Sequence, residues 1–511
     1  MVFAGVLALF LVVSATGVLA LMLNLVADDA YQAPARDIFA PPVSRPTYDC
    51  RVGIDPDTLT FNGRLIVTLP PGMGQDHARL AMNLWLNAYR DDADVKPVPA
   101  RLETAVFPYG RDDGWLDIEA VQIGEDLVDF TVDGTVLWVT VPTQPPQANG
   151  ASLTLLLTFK GKIPAINHRV GVTRTNEGAL TSLWLVHWLP ALAHYGPVGP
   201  FPGDPGESEW HLNPYHPIGE PFTQDISDYR VDVITPPQWE VVASGTECEE
   251  FFDDMRVTHV HAPQVRDFAL ATSPFYQRET GRSDSGVEVN FYFLDEVHPS
   301  LVQTAAESLD LFNELSGEYP YPELDAVENQ MFVGGMEYSN LIMLDDDDMA
   351  NSFEGHKTVA HEVAHQWFYM MLGNDQAREA WIDEGFGTYG GFMMVSGVDG
   401  VVDYFNWVKG RLPGWLAIYD ERRLASPVWA FADWTNYYRV HYLKGAVMLN
   451  DLRQIMGDEA FFEFWREYYD RFLFMVITAD DIIALASEVA GEDVSGFFED
   501  WLTGNQAVPG P

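Results

Sequence analysis

His361-Glu362-Val363-Ala364-His365, followed after eighteen residues by Glu384 in Trp381-Ile382-Asp383-Glu384-Gly385-Phe386, is the stretch from which the rest of this chain can be read. On an α-helix, residues four apart stack on one face. His361 and His365 therefore aim two imidazoles at one point, as a tetrahedral Zn²⁺ requires. Glu362 follows the first imidazole directly and sits beside the ion without ligating it, which is the place for a general base. Glu384 falls in a second helical pattern, about Glu379 to Val395, and Gly373-Asn374 reads as the C-cap and turn between the two helices. Two histidines and a carboxylate leave a fourth position open, the catalytic arrangement rather than the structural one. The alternative is a surface helix with solvated histidines. The apolar flanks Thr358-Val359-Ala360 and Gln366-Trp367-Phe368 argue against it, because burying two imidazoles and a carboxylate without a partner is costly. One Zn²⁺ per chain is the expected cofactor.

Two further motifs flank this core. Upstream stands Gly334-Gly335-Met336-Glu337-Tyr338-Ser339-Asn340, and downstream Tyr442-Leu443-Lys444-Gly445-Ala446. In this order the three motifs resemble those of the M1 metallopeptidases, the gluzincin group of aminopeptidase N and leukotriene A4 hydrolase. The upstream motif is similar to that family's Gly-x-Met-Glu-Asn exopeptidase motif, and the downstream one to its Tyr-Glu-Lys-Gly segment. The resemblance implies a metal held by His361, His365 and Glu384, with Glu362 as general base and Tyr442 hydrogen-bonding the oxyanion of the tetrahedral intermediate. It also implies that Glu337, with Gly334, Gly335 and Met336 around it, binds the free α-amino group of a peptide. A desolvated carboxylate in that role rejects blocked N-termini, because its charge would then be buried unpaired.

The chain departs from the pattern in places. Tyr338 stands where the family has Asn, and Leu443 where it commonly has Glu. Ser182 to Leu192, where the family places a second amino-group contact, holds no Gln or Glu, which leaves Glu177 as a weak stand-in. Asp383, Glu379 and Thr358 are candidates to orient the imidazoles from behind. Asp345 to Asp348 fits no calcium-loop spacing and reads as a solvated turn.

Length and charge bound the rest. At 511 residues the chain is too long for one ordinary core. Seventy-five acidic against 29 basic residues give a net charge of −46. A field of that sign repels nucleic acid and anionic membrane surfaces, so neither is an expected ligand. A halophilic source and an ordinary acidic extracellular protein both fit this charge. The two cysteines, Cys50 and Cys248, fall in the first half and either form one disulfide, if the protein is exported, or are merely free.

In order along the chain, residues 1–27 are nearly all apolar and long enough to cross a bilayer, so a transmembrane anchor or signal segment is expected. Residues 28–46 read as a Pro-rich linker. Residues 47–278 show short alternating runs separated by turn signals, the pattern of an all-β domain, and within them Gly196 to Pro221 reads as a surface loop. Residues 279–511 carry a strand at Val287 to Phe293, an amphipathic helix at Leu301 to Leu315, the metal motif and a mainly helical run from Val401. The expected fold class is α+β multidomain. By resemblance, the first domain is saddle-like and the second a thermolysin-like mixed α/β catalytic domain with a mostly helical C-terminal half. The chain ends soon after Trp501-Leu502, so the large C-terminal helical domain of many M1 peptidases is expected to be absent. The expected function is a zinc aminopeptidase acting on peptides with a free N-terminus, membrane-anchored with an extracytoplasmic catalytic domain or secreted. The alternatives are a zinc endopeptidase of the same fold and a non-catalytic binding scaffold.

Overall fold

Along Thr60–Leu69, Phe61, Leu65 and Val67 are buried while Asn62, Arg64 and Ile66 are only partly covered, the period-two pattern of a strand with one face on a core. The computed structural model describes residues 44–508 apart from 74–76, 95, 143–151, 198–207, 347, 350 and 351. In it this strand lies within an eight-stranded sheet running Thr246–Phe252, Met255–Val265, Ser227–Thr235, Thr47–Asp55, Thr60–Leu69, Leu153–Lys162, Trp115–Ile123 and Asp126–Leu127. Every neighbouring pair is antiparallel except Thr47–Asp55 with Ser227–Thr235. Two four-stranded sheets and the two-stranded pair Tyr195–Pro197 with Ser208–Trp210 complete a β-rich first domain. The expected segment 1–27 and nearly all of the linker lie outside the described residues. Among the described residues no helix is long and apolar enough to cross a membrane.

A second, five-stranded sheet runs Gln277–Arg282, Glu288–Phe293, Glu323–Asn329, Leu341–Asp345 and Gly335–Tyr338. Its last strand is an edge, antiparallel to Leu341–Asp345, and it carries Glu337. Against this sheet pack the helices α1 (Pro299–Leu315) and α2 (Phe353–Ala364); α3 (Trp381–Ser396) packs on α2, α4 (Gly445–Met456) packs on α3, and further helices continue to Thr503. The molecule thus has two domains, β-rich first and largely helical at its C-terminal end. The helix at α2 begins where Ser352 Oγ accepts from the Gly355 amide at 3.0 Å, satisfying one of the orphan donors of its first turn. Val359, Ala360, Val363 and Ala364 bury one side of it, and the segment that follows, Trp367 to Leu372, is buried throughout. The wholly buried Val359 and Val363 each contribute about 2 kcal/mol relative to exposure.

Two expectations are corrected, and the cysteine alternatives are resolved. Gly373-Asn374 is not a helix C-cap: it forms a two-residue parallel strand with Val476–Ile477, and α2 ends with His365 as its cap. Gly373 is required for another reason, since a Cβ there would run into the guanidinium of Arg266. The stretch Gly196 to Pro221 is not simply a surface loop, because His211, Asn213 and Glu220 are buried within it. Cys50 and Cys248 are both free. Cys50 lies in the core, while Cys248 is exposed on the edge strand. The pairings Cys50–Val231, Val231–Val260 and Val260–Glu247 put three inter-strand steps between their strands. That is roughly 14 Å, far beyond the reach of a disulfide. The unfolding midpoint is therefore expected to be the same with and without reductant, and thiol titration of the denatured chain should find two thiols. A reductant-sensitive midpoint would contradict this arrangement.

Candidate metal centre

The side-chain order around α2 follows from its helical repeat. His361 and His365 bring their Nε2 atoms to 3.1 Å of each other, and Glu384 Oε2 from α3 stands 3.6 Å and 3.5 Å from them. Ligands at 2.0–2.1 Å around a tetrahedral Zn²⁺ lie roughly 3.3 Å apart, so the triangle fits that ion. Among the described residues these three form the one cluster able to hold a metal. Glu384 Oε2 and Glu362 Oε2 are both shielded from solvent with no hydrogen-bond partner, and a cation would satisfy the first directly. His365 Nδ1 donates to the Phe368 carbonyl at 2.9 Å, which fixes the tautomer and leaves Nε2 with a lone pair for the metal. Burial, with His365 adding to it, lowers the pKa of His361. Burial works against ionising Glu384, but the two imidazoles outweigh it and hold its pKa down at about 2.

Glycines let these elements meet. A Cβ on Gly387 would lie 2.8 Å from the His365 ring, and one on Gly391 would lie 2.9 Å from the His361 Cα. Both glycines face α2 from α3, one helical turn apart. A helix with Gly385, Gly387, Gly390 and Gly391 gives up roughly 1 kcal/mol of propensity per glycine. That conflict in the sequence is the signal of a close helix contact. Gly335 does the same for the base: a Cβ there would strike the Glu362 carboxylate. Burial pushes Glu362 up to about 8, with His365 opposing and Glu384 adding to the shift. A cation at the adjacent ligands would favour its ionised form.

Tyr442 sits in a π-helical turn, Arg439–Lys444, between the short helix Trp434–Tyr438 and α4. Such wide turns recur at functional sites because they re-aim side chains. Here Tyr442 stacks on His361, with ring centroids 5.7 Å apart, and lines the same cavity as Glu362. Tyr438 also lines it, whereas Tyr437 and His441 are buried behind. The downstream end of the turn is anchored by Lys444, whose Nζ donates to the carbonyls of Arg422 (2.6 Å) and Gln506 (2.9 Å).

Glu337, Gly334, Gly335 and Met336 all line the cavity beside the ligands. Glu220 joins them, a residue that sequence reasoning missed. Gln376 Nε2 bridges the group, donating to Asp383 Oδ2 (2.8 Å), Glu220 Oε2 (3.3 Å) and Glu337 Oε1 (3.4 Å). Arg169 holds Glu220 in place through a buried ion pair. Burial, with Glu220 next, raises the pKa of Glu337 well above the carboxylate range. Glu177 is exposed on a turn and takes no part. Glu220 had no local signature: Gly219-Glu220-Pro221 lies in an acidic, Gly/Pro-rich stretch, and its partners Arg169 and Gln376 are distant in the chain.

The candidate orienting residues also resolve differently. Glu379 accepts from the Ala479 amide (3.1 Å), Thr358 donates to Asp348 (3.0 Å), and Asp383 accepts from Gln376 and the Glu384 amide. None of these bonds reaches an imidazole; the Phe368 carbonyl takes that task at His365. Asp345 is not merely solvated, since it accepts from the Met331 amide at 2.8 Å and so ties down the loop before Gly334.

Fold and site together define a two-domain protein whose second domain presents a candidate site for one metal ion. Residues 301–501 match the Peptidase family M1 domain. It is 26% identical over 230 residues to Aminopeptidase M1-B of Oryza sativa subsp. japonica and 25% identical over 223 residues to Aminopeptidase N of Streptomyces lividans. These matches cover 41% and 40% of this chain, and the chain spans about a quarter of each relative, 25% and 26%. A mutant M1 zinc metallopeptidase from Deinococcus radiodurans shares the fold at a TM-score of 0.65 and 16% identity, over 92% of this chain and 97% of that one.

Glu384→Gln is expected to leave purified protein with far less than one zinc per chain by elemental analysis. Gly387→Ala should weaken zinc retention by about tenfold or more, since it displaces a ligand ring. Full zinc occupancy in both variants would place the metal elsewhere.

Proposed function

We propose that this chain is a zinc-dependent aminopeptidase that releases N-terminal residues from peptides. The observation carrying this reading is the pair of buried carboxylates Glu337 and Glu220, bridged by Gln376, at the His365 end of the metal centre. Arg169 balances Glu220, so Glu337 in low dielectric is the group that calls for a further cation, and the α-ammonium of a peptide supplies one. A Zn²⁺ held by His361, His365 and Glu384 would lower the pKa of a water and polarise the scissile carbonyl. Glu362, beside the ligands, accepts the proton of the attacking water and returns it to the leaving amine. Tyr442 donates a hydrogen bond to the oxyanion. The edge strand Gly335–Tyr338 runs along the cleft wall, so an extended peptide can lie beside Gly334, Gly335 and Met336 with its N-terminus at Glu337. In support, the curated relatives are named aminopeptidases, and one Deinococcus M1 structure of the same fold, at 15% identity, holds a Tyr-Ser-Ala substrate. We further propose an extracytoplasmic or secreted catalytic domain tethered through the apolar run 2–27, a reading supported by sequence alone.

With aminoacyl-aminocoumarins, Glu362→Gln is expected to reduce kcat by about 10³-fold and Tyr442→Phe by about 10²-fold. Glu337→Gln should act mainly on KM. N-acetylated peptides should be poor substrates, and a chelator should abolish activity until zinc is restored. Equal cleavage of acetylated and free peptides would instead favour the endopeptidase reading. Fractionation of cells expressing the full chain should place it in the membrane or outside the cytoplasm; a wholly cytoplasmic, soluble product would rule out the tether.

A further inference from the structure

Two residues of the first domain, Arg266 and Asp267, reach into the second and bond the segments that follow Glu337 and His365. We propose that they are positioning residues for the reaction: they set the separation between the amino anchor Glu337 and the metal ligands on α2. This rests on the aminopeptidase reading above.

Asp267 divides its two oxygens between the two sides. Oδ1 accepts from the backbone amide of Ser339 at 2.9 Å, two residues after Glu337 at the end of the edge strand. Oδ2 accepts from the hydroxyl of Tyr369, four residues after His365. The Ser339 hydroxyl answers by accepting from the amides of Arg266 (3.1 Å) and Asp267 (3.3 Å). Arg266 secures the metal side. Its Nε donates to the carbonyls of Tyr369 (2.7 Å) and Met370 (3.0 Å), its Nη1 to that of Gln224 (2.6 Å) and its Nη2 to that of Met475 (3.1 Å). Tyr369 is held at φ +140°, a conformation that a non-glycine residue adopts only when its surroundings over-determine it. The space for the guanidinium is kept open by Gly373.

A direct tie runs alongside. Gln366, next to the ligand His365, donates through Nε2 to the Tyr338 carbonyl (3.1 Å) and accepts from the Asn340 amide (2.9 Å). The turn after Glu337 is therefore braced against the end of α2 twice, once within the second domain and once through the first. The chemistry explains why this span needs bracing. In an N-terminal residue the ammonium and the scissile carbonyl are separated by a single Cα, so the amino anchor and the metal must match one short, fixed distance. Misplacement by about 1 Å can cost 10²-fold. Simple adhesion between domains would not require both oxygens of one carboxylate to be shared between these two segments.

Tyr369→Phe removes one hydroxyl with little change of shape, and Asp267→Asn keeps an acceptor for Ser339 while losing the one for Tyr369. In both, KM for aminoacyl-aminocoumarins is expected to rise roughly five- to tenfold with kcat within about twofold. Zinc should stay at one per chain, and the preference for free over N-acetylated peptides should shrink. If Asp267→Asn folds poorly, Tyr369→Phe alone decides. A lower unfolding midpoint with unchanged KM and unchanged selectivity would overturn the proposal, as would a fall in zinc content together with kcat. A wild-type protein that holds zinc yet cleaves no aminoacyl substrate fails differently: it sinks the aminopeptidase reading, and this proposal with it.

Discussion

Four carboxylates, those of Glu220, Glu337, Glu362 and Glu384, line one cavity in which Lys357 is the sole lysine or arginine among the lining residues. Like charges gathered away from water repel one another and lose hydration, so such a cluster persists only with positive charge to balance it. The protein's own positive groups here are Lys357 and Arg169, the latter bound to Glu220, and the carboxylates around His365 favour its charged form. Protonation, which burial favours at Glu337 and Glu362, or a bound cation balances the rest, and the geometry divides the demand. Two imidazoles make Glu384 one corner of a candidate metal site, while Glu337 and Glu220 line the same cavity beside it. The opposite displacements of Glu384, down to about 2, and Glu362, up to about 8, express the same division.

Holding that cluster requires close, stiff packing. α3 lies against α2 closely enough that side chains larger than hydrogen at Gly387 and Gly391 would displace the ligand rings or their backbone. The aromatic layer beneath, with Trp367, Phe368, Phe386 and Trp465 all buried, leaves little room for either helix to yield. Helix propensity in α3 is thus given up locally, and tertiary packing offsets the loss.

The first domain is more than a wall. Glu220 and Arg169 come from it, and so do Arg266 and Asp267, which join the strand of Glu337 to the end of α2. Glu337 and the ligands belong to separate segments of the second domain, and the brace between them is completed by residues that precede both in the chain.

By itself the sequence determined what is local or periodic. The i, i+4 spacing of His361 and His365, the base between them, the helical pattern around Glu384, the alternation of Thr60–Leu69 and the order β-rich then helical all follow from repeats of 3.6 and 2 residues. Only the tertiary structure decided what depends on distant segments meeting. It brought Glu220 to Glu337 where sequence pointed to Glu177, and made Gly373 a seat for Arg266 rather than a helix cap. It gave the orientation of His365 to a backbone carbonyl, and placed Cys50 and Cys248 on strands too far apart to bond. A residue's own neighbours in the chain set its helix or strand period, whereas hydrogen bonds and burial between segments far apart in sequence leave no repeat to read.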